Sequence, residues 1–387
     1  MRVAMDGSFL ALPPSGTGTY LRSLADALRA VDPSLDLRLL MPKWEQSVSS
    51  SRTGSGLLDR IRGDRRLQRA GWELTGIAKA ARRERPDLLH IPHFSAPFRP
   101  GCPLVVTIHD TIPLVLPAYR ASRAMRLHLA AIRRTVRAAR LILVPSQAAA
   151  TDVVRTLGVS ATRIRITPEA AGSAFRPAAD EIRLRETLRR LGVTRRYVFN
   201  VGGLDVRKNL PVLLEAFARL QSRTEAPLQL VIAGAPHSDN PTVYPPLAPV
   251  IRRLGIEGAV LLCGRVDEEE KLALYQGAAL YATPSLYEGF GLTALEAMAC
   301  GVPTIAANRT SLPEVVGDGG LLVEPEAEAF AEAILGVLSD DDRAAELRRR
   351  ALAQAARFTW HRTAHLTLAA YREAIAGNPD SAGGRVD

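Results

Sequence analysis

The chain has 387 residues, of which 47% are hydrophobic, 23% charged and 5% aromatic. This length suits two globular domains, and because no run of about 18 apolar residues occurs, the sequence predicts no membrane-spanning helix. The first residues lack the apolar core and cleavage site of a signal peptide. Three widely spaced cysteines, Cys102, Cys263 and Cys300, fit reduced thiols rather than a disulfide or zinc framework. We therefore expect a cytoplasmic globular protein.

Apolar runs typical of strands alternate with helical patterns along the chain, which predicts an α/β protein with parallel sheets. Strands are predicted at Val3–Asp6, Leu35–Met41, Leu88–Ile91, Leu104–Ile108, Leu141–Pro145, Tyr197–Val201, Leu228–Ala233, Val260–Cys263, Ala278–Ala282 and Gly301–Ala306, and Arg163–Thr167 is expected to close the first domain. Helices are predicted at Tyr20–Ala30, Ala121–Arg140 and Leu292–Ala299, within Ala327–Arg357, and at His361–Ala376. Because Pro168–Pro177 has the composition of a linker, domains are expected at residues 1–172 and 178–360.

The net charge of +10 is concentrated in the first part of the chain. Residues 1–170 contain 26 basic and 13 acidic residues, whereas residues 171–387 contain 24 basic and 27 acidic ones. A basic surface could bind an anionic membrane, a phosphorylated acceptor or nucleic acid. The alternative is that the excess of positive charge reflects only an arginine-rich composition and has no binding role. Nucleic acid is not the expected partner, because few aromatic residues are present to stack on bases. The basic segments Leu57–Ala70 and Ala121–Arg140 are the candidate contacts to lipid headgroups, with a solvated face as the alternative.

Several glycine and histidine residues of the first domain follow predicted strands. A loop with Gly16 and Gly18 lies between the first strand and the first helix, where backbone N–H groups favour a phosphate; a plain tight turn is the alternative. His90, His93 and His109 stand at the ends of two strands. Ligands of open α/β sheets bind beyond the carboxyl ends of strands, so we expect a site at this edge.

The second domain contains a candidate anion site. The predicted strand Tyr197–Val201 is followed by Gly202 and Gly203 and then by the adjacent Arg207 and Lys208. Arginine offers a two-pronged hydrogen-bond donor and lysine a point charge, and both suit a phosphate. Fixed positive charge here would stabilise a leaving group on which negative charge grows, and would do so more in the transition state than in the ground state.

A further candidate site surrounds Glu288 and Glu296. Gly289 and Gly291 allow the backbone to approach a ligand closely, and the predicted helix Leu292–Ala299 begins with N–H groups that favour a phosphate. The two carboxylates can accept hydrogen bonds from hydroxyls. A phosphate site between hydroxyl acceptors indicates a ligand that combines a sugar, a phosphate and a ribose.

The segment Glu288–Glu296 resembles the E-x7-E motif of glycosyltransferase family 4, and Gly202–Asn209 resembles that family's G-G-x-x-x-R-K-N motif. The resemblance covers nearly the whole chain and includes Val-Thr-Ile-His-Asp at residues 106–110. It implies retaining glycosyl transfer and the GT-B fold, in which two Rossmann-like domains face each other across a cleft. It also implies that a terminal helix, residues 361–377, crosses back to the first domain.

The resemblance implies roles for individual residues. Glu288 would hold hydroxyls of the donor sugar, and Glu296 those of the ribose. Arg207 and Lys208 would bind the diphosphate, and His109 would contact the sugar from the first domain, so these two cations, Glu288 and His109 are the expected catalytic residues. The residues expected to bind the donor are Gly16, Gly18, Gly203, Arg207, Lys208, Val266, Glu288, Gly289, Phe290, Gly291, Leu292 and Glu296.

No metal and no cofactor besides the donor substrate are expected. The acidic runs Asp267–Glu270 and Asp340–Asp342 open predicted helices, where negative charge complements the helix dipole. Because no Asp-x-Asp motif stands at a strand end, basic residues rather than a divalent ion are expected to neutralise the diphosphate.

The predicted activity is transfer of a hexose to a hydroxyl of a glycan or lipid-linked acceptor. GDP-mannose is the first choice of donor, because His109-Asp110-x-x-Pro113 and Ser311–Val316 resemble bacterial mannosyltransferases of polysaccharide and O-antigen pathways. UDP-glucose or another UDP-hexose is the second choice. The enzyme is expected in the cytoplasm, and peripheral binding to the inner face of the cell membrane is the alternative left open. A sugar-nucleotide-binding protein without turnover is the remaining alternative.

Overall fold

A computed structural model gives the arrangement of residues 1–12, 15–42, 65–95, 97, 99–120, 123–224 and 227–377. These residues form two compact units. The first unit comprises Met1–Pro168 together with the segment that starts at Trp360, and the second unit comprises Glu169–Thr359. Each unit has a six-stranded sheet and its own hydrophobic core, as expected for a chain of this length.

The first unit is built on a parallel sheet of order β2-β1-β3-β4-β5-β6. Its strands are β1 (Arg2–Asp6), β2 (Asp36–Leu40), β3 (Leu88–Ile91), β4 (Leu104–Thr107), β5 (Leu141–Val144) and β6 (Ile164–Ile166). Strands β3, β4 and β5 are buried along their whole length, since central strands of a parallel sheet are covered on both faces. Because β1, β3 and β4 are neighbours in the sheet, the residues that follow them share one edge.

The second unit is built on a parallel sheet of order β12-β11-β10-β7-β8-β9. Its strands are β7 (Arg196–Val201), β8 (Leu228–Ala233), β9 (Val260–Gly264), β10 (Leu280–Thr283), β11 (Thr304–Ala307) and β12 (Leu321–Val323). Strand β7 lies between β10 and β8, with Leu280 opposite Val198. The loops that follow β7 and β10 therefore lie side by side at the carboxyl edge of this sheet.

Helices follow the strands in chain order. In the first unit they are α1 (Gly16–Val31), α2 (Arg65–Gly71), α3 (Ile77–Glu84), α4 (Ile112–Val115), α5 (Arg123–Val136) and α6 (Gln147–Leu157). In the second unit they are α7 (Glu181–Arg190), α8 (Leu210–Gln221), α9 (Ala248–Leu254), α10 (Glu268–Gln276), α11 (Leu292–Ala299), α12 (Leu312–Val316), α13 (Ala327–Leu338) and α14 (Asp341–Ala355). The last described helix, α15 (Trp360–Ala376), belongs to the first unit. Over the described residues, no helix is both long enough and apolar enough to cross a membrane.

The terminal helix α15 belongs to the core of the first unit. Ala364, Leu368 and Tyr371 are buried and share a hydrophobic cluster with Leu21 and Leu24 of α1. The return of this helix to the first unit is the arrangement that the sequence predicts.

Some elements differ from the prediction. Helix α1 begins at Gly16 rather than Tyr20, because Ser15 caps it by accepting a hydrogen bond from Gly18 N at 3.2 Å. Helix α5 ends at Val136, before the predicted end at Arg140. The predicted turn Ser311–Val316 contains the short helix α12, and β12 was not predicted. Most of the basic segment Leu57–Ala70 lies outside the described residues.

Candidate active site

The cation pair of the second unit stands on a turn that follows β7. Gly202 has a φ of +143°, and a Cβ at this position would lie 2.9 Å from Lys208 Cε. Only glycine therefore lets the lysine side chain cross this backbone without strain. Asp205 caps the turn, since its Oδ1 accepts a hydrogen bond from Arg207 N at 3.2 Å. Together these features place Arg207 and Lys208 at the carboxyl edge of the sheet.

Glu288 contacts both cations. Lys208 Nζ donates to Oε1 of Glu288 at 2.8 Å, and Arg207 Nη1 donates to Oε2 at 2.6 Å. The exposed fractions of the side chains are 6% for Lys208, 13% for Arg207 and 11% for Glu288. Charges so shielded from water interact more strongly than charges on an open surface. The structure therefore unites the two motifs that the sequence analysis singled out.

Hydrogen bonds to its main-chain atoms hold the loop that carries Glu288. Leu286 N donates to Arg207 O at 2.8 Å, and Arg207 Nη1 also donates to Tyr287 O at 3.1 Å. On the other side, Glu288 N donates to Thr310 Oγ1 at 3.0 Å. The backbone of Glu288 is thus fixed by contacts that do not involve its carboxylate.

The surrounding charges set the ionisation of Glu288. Burial alone would raise the pKa of this carboxyl, but the positive charges of Arg207 and Lys208 outweigh burial and lower the pKa from 4.5 to about 2. A hydrogen bond from the Ser285 side chain acts in the same direction. Glu288 is therefore ionised at ordinary pH and is a weak proton acceptor.

Helix α11 begins beside this loop. Its N-cap residue, Gly291, has a φ of +103°, and a Cβ there would lie 2.9 Å from Leu312 Cδ2. No side chain caps the helix, and the first amides of a helix favour an anion. Ser311 Oγ donates to the carbonyl oxygens of Glu288 and Phe290 at 2.9 and 2.8 Å. The predicted binding of a phosphate by residues 289–292 stays a prediction.

Glu296 has different partners from Glu288. Its side chain is 6% exposed; the Tyr275 hydroxyl donates to its Oε2 at 2.9 Å, and Lys271 Nζ donates to its Oε1 at 3.3 Å. Burial raises the pKa of Glu296, and Lys271 and Tyr275 oppose that shift only in part. Lys271 and Tyr275 were not predicted from the sequence, although a lysine and a tyrosine four residues apart on a helix lie on one face. The predicted contact of Glu296 with a ribose is not tested by this geometry.

Other predicted residues of the second unit lie at neighbouring strand ends. Val266 follows β9 and packs, partly buried, against the core. At Gly203 an added Cβ would lie 2.8 Å from Asp205 Oδ2. Asp267 and Glu270 form a capping box at the start of α10, which is the helix-opening role that the sequence predicts for this acidic run. In the described part of the chain, no group of three or more His, Cys, Asp or Glu residues is arranged to hold a metal ion.

In the first unit, His90 connects the sheet to the terminal helix. Its Nε2 lies 2.8 Å from Thr107 Oγ1, and its Nδ1 lies 2.6 Å from the Tyr371 hydroxyl oxygen. Burial lowers the pKa of His90 to about 3, so the ring is neutral. These contacts are those of a structural residue.

His93 forms a buried pair with Asp6, the last residue of β1. His93 Nε2 lies 2.9 Å from Asp6 Oδ2, and Trp72 Nε1 donates to Asp6 Oδ1 at 3.0 Å. Burial would raise the pKa of Asp6, but the hydrogen bonds, that of His93 first among them, lower it overall. His93 was predicted from the sequence as a site residue and Asp6 was not, although Asp6 also stands at a strand end.

His109 is half-buried at the end of β4. Its Nε2 lies 3.1 Å from Pro92 O, and the Tyr20 ring packs edge-on with its centroid 4.5 Å away. Gly16 and Gly18 lie in the first turn of α1 rather than in a loop. A Cβ at Gly18 would lie 3.1 Å from a backbone oxygen, whereas Gly16 faces open space. The binding roles of these three residues stay predictions.

Comparison with protein families and relatives identifies the kind of protein that has these features. The family model described as "Glycosyl transferases group 1" matches residues 188–357, and the model described as "Glycosyltransferase Family 4" matches residues 14–170. A relative from Escherichia coli, named O-antigen chain mannosyltransferase B, is 30% identical over 384 residues. The match covers 96% of this chain and 100% of that relative.

Solved structures with the same fold cover nearly the whole chain. Sucrose-phosphate synthase from Thermosynechococcus elongatus superposes with a TM-score of 0.73 at 22% identity, covering 97% of this chain and 99% of its own. HepE of Anabaena, solved in complex with UDP and glucose, superposes with a TM-score of 0.68 at 19% identity, covering 96% and 99%. The two parallel six-stranded sheets with their helices are those of the GT-B fold, which confirms the predicted fold class.

Proposed function

This chain belongs to glycosyltransferase family 4, and from that premise we propose that it transfers a hexose, with retention, from a nucleoside-diphosphate sugar to a hydroxyl group. The observation that carries the proposal is the cation pair Arg207 and Lys208, held on one turn in contact with Glu288. Two adjacent cations of these types suit the two phosphates of a leaving nucleoside diphosphate.

The cation pair acts on the leaving group. As the bond between the anomeric carbon and the phosphate oxygen breaks, negative charge grows on the diphosphate. Arg207 and Lys208 are largely shielded from water, so their charges stabilise that developing charge strongly. Because the effect is larger in the transition state than in the bound donor, it accelerates transfer rather than merely tightening binding.

Glu288 holds hydroxyls of the transferred sugar in this proposal, as the family resemblance implies. With a pKa of about 2 it is too weak a base to deprotonate the acceptor. We assign that step to the leaving phosphate, which lies on the face of the sugar that the acceptor attacks when configuration is retained. The acceptor O–H proton then passes to a phosphate oxygen while the acceptor oxygen bonds to the anomeric carbon.

The remaining donor contacts follow the same resemblance. Glu296 binds the ribose, Val266 lies along the base, and Gly203 with the amides of residues 289–292 assists at the diphosphate. In the first unit we assign His109 a contact with the transferred sugar, and the glycines of the first turn of α1 a part in binding.

GDP-mannose is the first choice of donor. The E. coli relative that aligns along its whole length is named a mannosyltransferase, which supports mannose. A UDP-hexose is the second choice, since HepE was solved with UDP and glucose. The acceptor is a hydroxyl of a glycan or lipid-linked molecule. We place the reaction in the cytoplasm, with the basic first unit in peripheral contact with anionic lipid.

Thermal unfolding with a panel of nucleotide sugars tests the proposal. A donor that binds the folded protein raises the unfolding temperature through mass action, and GDP-mannose is expected to give the largest rise. Incubation with that donor and a glycan acceptor should then release GDP and form a glycosidic product. A panel without any stabilising nucleotide sugar would contradict the proposal. Binding without transfer or hydrolysis would instead favour a non-catalytic sugar-nucleotide-binding protein.

A further inference from the structure

We infer that the Glu288 carboxylate and the donor's diphosphate compete for Arg207 and Lys208, so that the diphosphate must displace this carboxylate from the cations before the sugar can be held. The inference rests on the proposed function and concerns the order in which the same site assembles. It assigns Glu288 two successive sets of partners, the cations first and the sugar hydroxyls afterwards.

The contacts of Glu288 motivate the first part of this inference. Both carboxylate oxygens are engaged, one by Lys208 at 2.8 Å and the other by Arg207 at 2.6 Å. A carboxylate and a phosphate are both oxyanions that accept hydrogen bonds from the same donors. The anionic side chain therefore satisfies the two cations in the way that a diphosphate would, and it competes with one for them.

The charge balance gives the competition a direction. Glu288 shares the two cations with Asp205, whose Oδ1 lies 3.2 Å from Arg207 Nε, and supplies one of the two negative charges that face them. A diphosphate carries more negative charge than a carboxylate and can face both cations at once. It can thus displace Glu288, although its apparent affinity is reduced by the interaction that it has to break.

The backbone contacts explain why the site survives the release. Leu286 N bonds to Arg207 O, and Glu288 N bonds to Thr310 Oγ1. Asn209 Nδ2 donates to Pro284 O at 3.3 Å. The first and the last of these hydrogen bonds join the loop after β7 to the loop after β10, and the second ties the Glu288 backbone to the loop after β11. None of them uses the Glu288 carboxylate, so the side chain can leave the cations while the loops keep their positions.

The consequence is specific to nucleotide sugars. As long as Glu288 is bound to Arg207 and Lys208, its oxygens are poor acceptors for sugar hydroxyls. Once a diphosphate has taken the cations, the carboxylate is free to accept from the hydroxyls of the sugar joined to it. A free hexose lacks the group that releases Glu288 and is therefore bound weakly.

Removal of the competing charge tests the inference. Glu288→Gln keeps the shape of the side chain and removes its charge, so inorganic pyrophosphate and GDP are expected to bind about tenfold more tightly than they bind the wild type. Glu332→Gln provides the matched control, since this exposed carboxylate pairs with Arg223 and its loss changes the net charge equally. Binding to the control should stay within about twofold of the wild type. Isothermal titration calorimetry measures all three proteins.

A second variant guards against misfolding. Glu288→Asp keeps the charge and shortens the side chain, and thermal unfolding with and without pyrophosphate shows whether each variant is folded. Glu288→Gln is expected to bind pyrophosphate more tightly than either Glu288→Asp or the wild type does. Equal or weaker binding by a folded Glu288→Gln protein would overturn the inference alone, because Glu288 would then help to build the diphosphate site. If pyrophosphate, GDP and UDP fail to bind even the wild type, the proposed function falls, and this inference falls with it.

Discussion

Glu288→Gln should destabilise the unliganded protein by an amount that follows from the structure. Among the described residues, Lys208 forms its ion pair with the Glu288 carboxylate. Arg207 has a second carboxylate partner, since its Nε lies 3.2 Å from Asp205 Oδ1. The pKa of Glu288 is lowered from 4.5 to about 2, and one pKa unit corresponds to about 1.4 kcal/mol. The ion pairs therefore stabilise the folded state by about 3 kcal/mol, a value in the range for removing one partner of a buried pair.

The pH dependence of that loss identifies its cause. A carboxyl whose pKa is lowered by folding contributes stability that is complete above its unfolded pKa and is lost as the pH falls through its folded pKa. The difference between wild type and Glu288→Gln should thus be constant near about pH 7 and shrink below about pH 5. Urea unfolding of both proteins across this range, followed by circular dichroism, is the assay. A difference that is small at neutral pH, or that grows as the pH falls, would refute the electrostatic reasoning.

Three further outcomes are expected. Lys208→Met should lower kcat about 100-fold, because the growing charge on the leaving diphosphate loses a cation; steady-state kinetics with an unchanged kcat would exclude that role. Added EDTA should leave the initial rate unchanged if, as proposed, arginine and lysine rather than a divalent ion face the diphosphate, and clear inhibition reversed by Mg²⁺ would contradict this. Gly202→Ala should weaken GDP binding in a protein that still folds, because its Cβ would lie 2.9 Å from Lys208 Cε; an unaltered Kd in calorimetry would show that Lys208 tolerates the displacement.

Elements with strong local signals could be predicted from the sequence. Strand β8 and helix α11 have the predicted bounds, Leu228–Ala233 and Leu292–Ala299. The strand is a mainly apolar run that is followed by a glycine, and the helix is preceded by a glycine. Each glycine marks one end of its element in the sequence. Strand β12 was missed because it has three half-buried residues at the edge of the sheet, which is too short for a periodic pattern.

Residue types and the family resemblance nominated the residues of the candidate site, but the contacts between these residues could not be predicted. Arg207, Lys208 and Glu288 were chosen because their residue types and flanking glycines suit a phosphorylated sugar. Their direct ion pairing depends on the pairing of β7 with β10, which brings two loops together that are far apart in sequence. The partners of Glu296 on α10 depend in the same way on tertiary packing. No pattern in the local amino-acid sequence predicts such tertiary contacts.

A crystal structure with GDP-mannose bound would show which groups hold the donor. Diphosphate oxygens are expected within hydrogen-bond distance of Lys208 Nζ and the Arg207 guanidinium, and the Glu288 carboxylate is expected to have turned from the cations to the mannose hydroxyls. A diphosphate bound away from these two cations, with Glu288 still paired to them, would contradict this expectation.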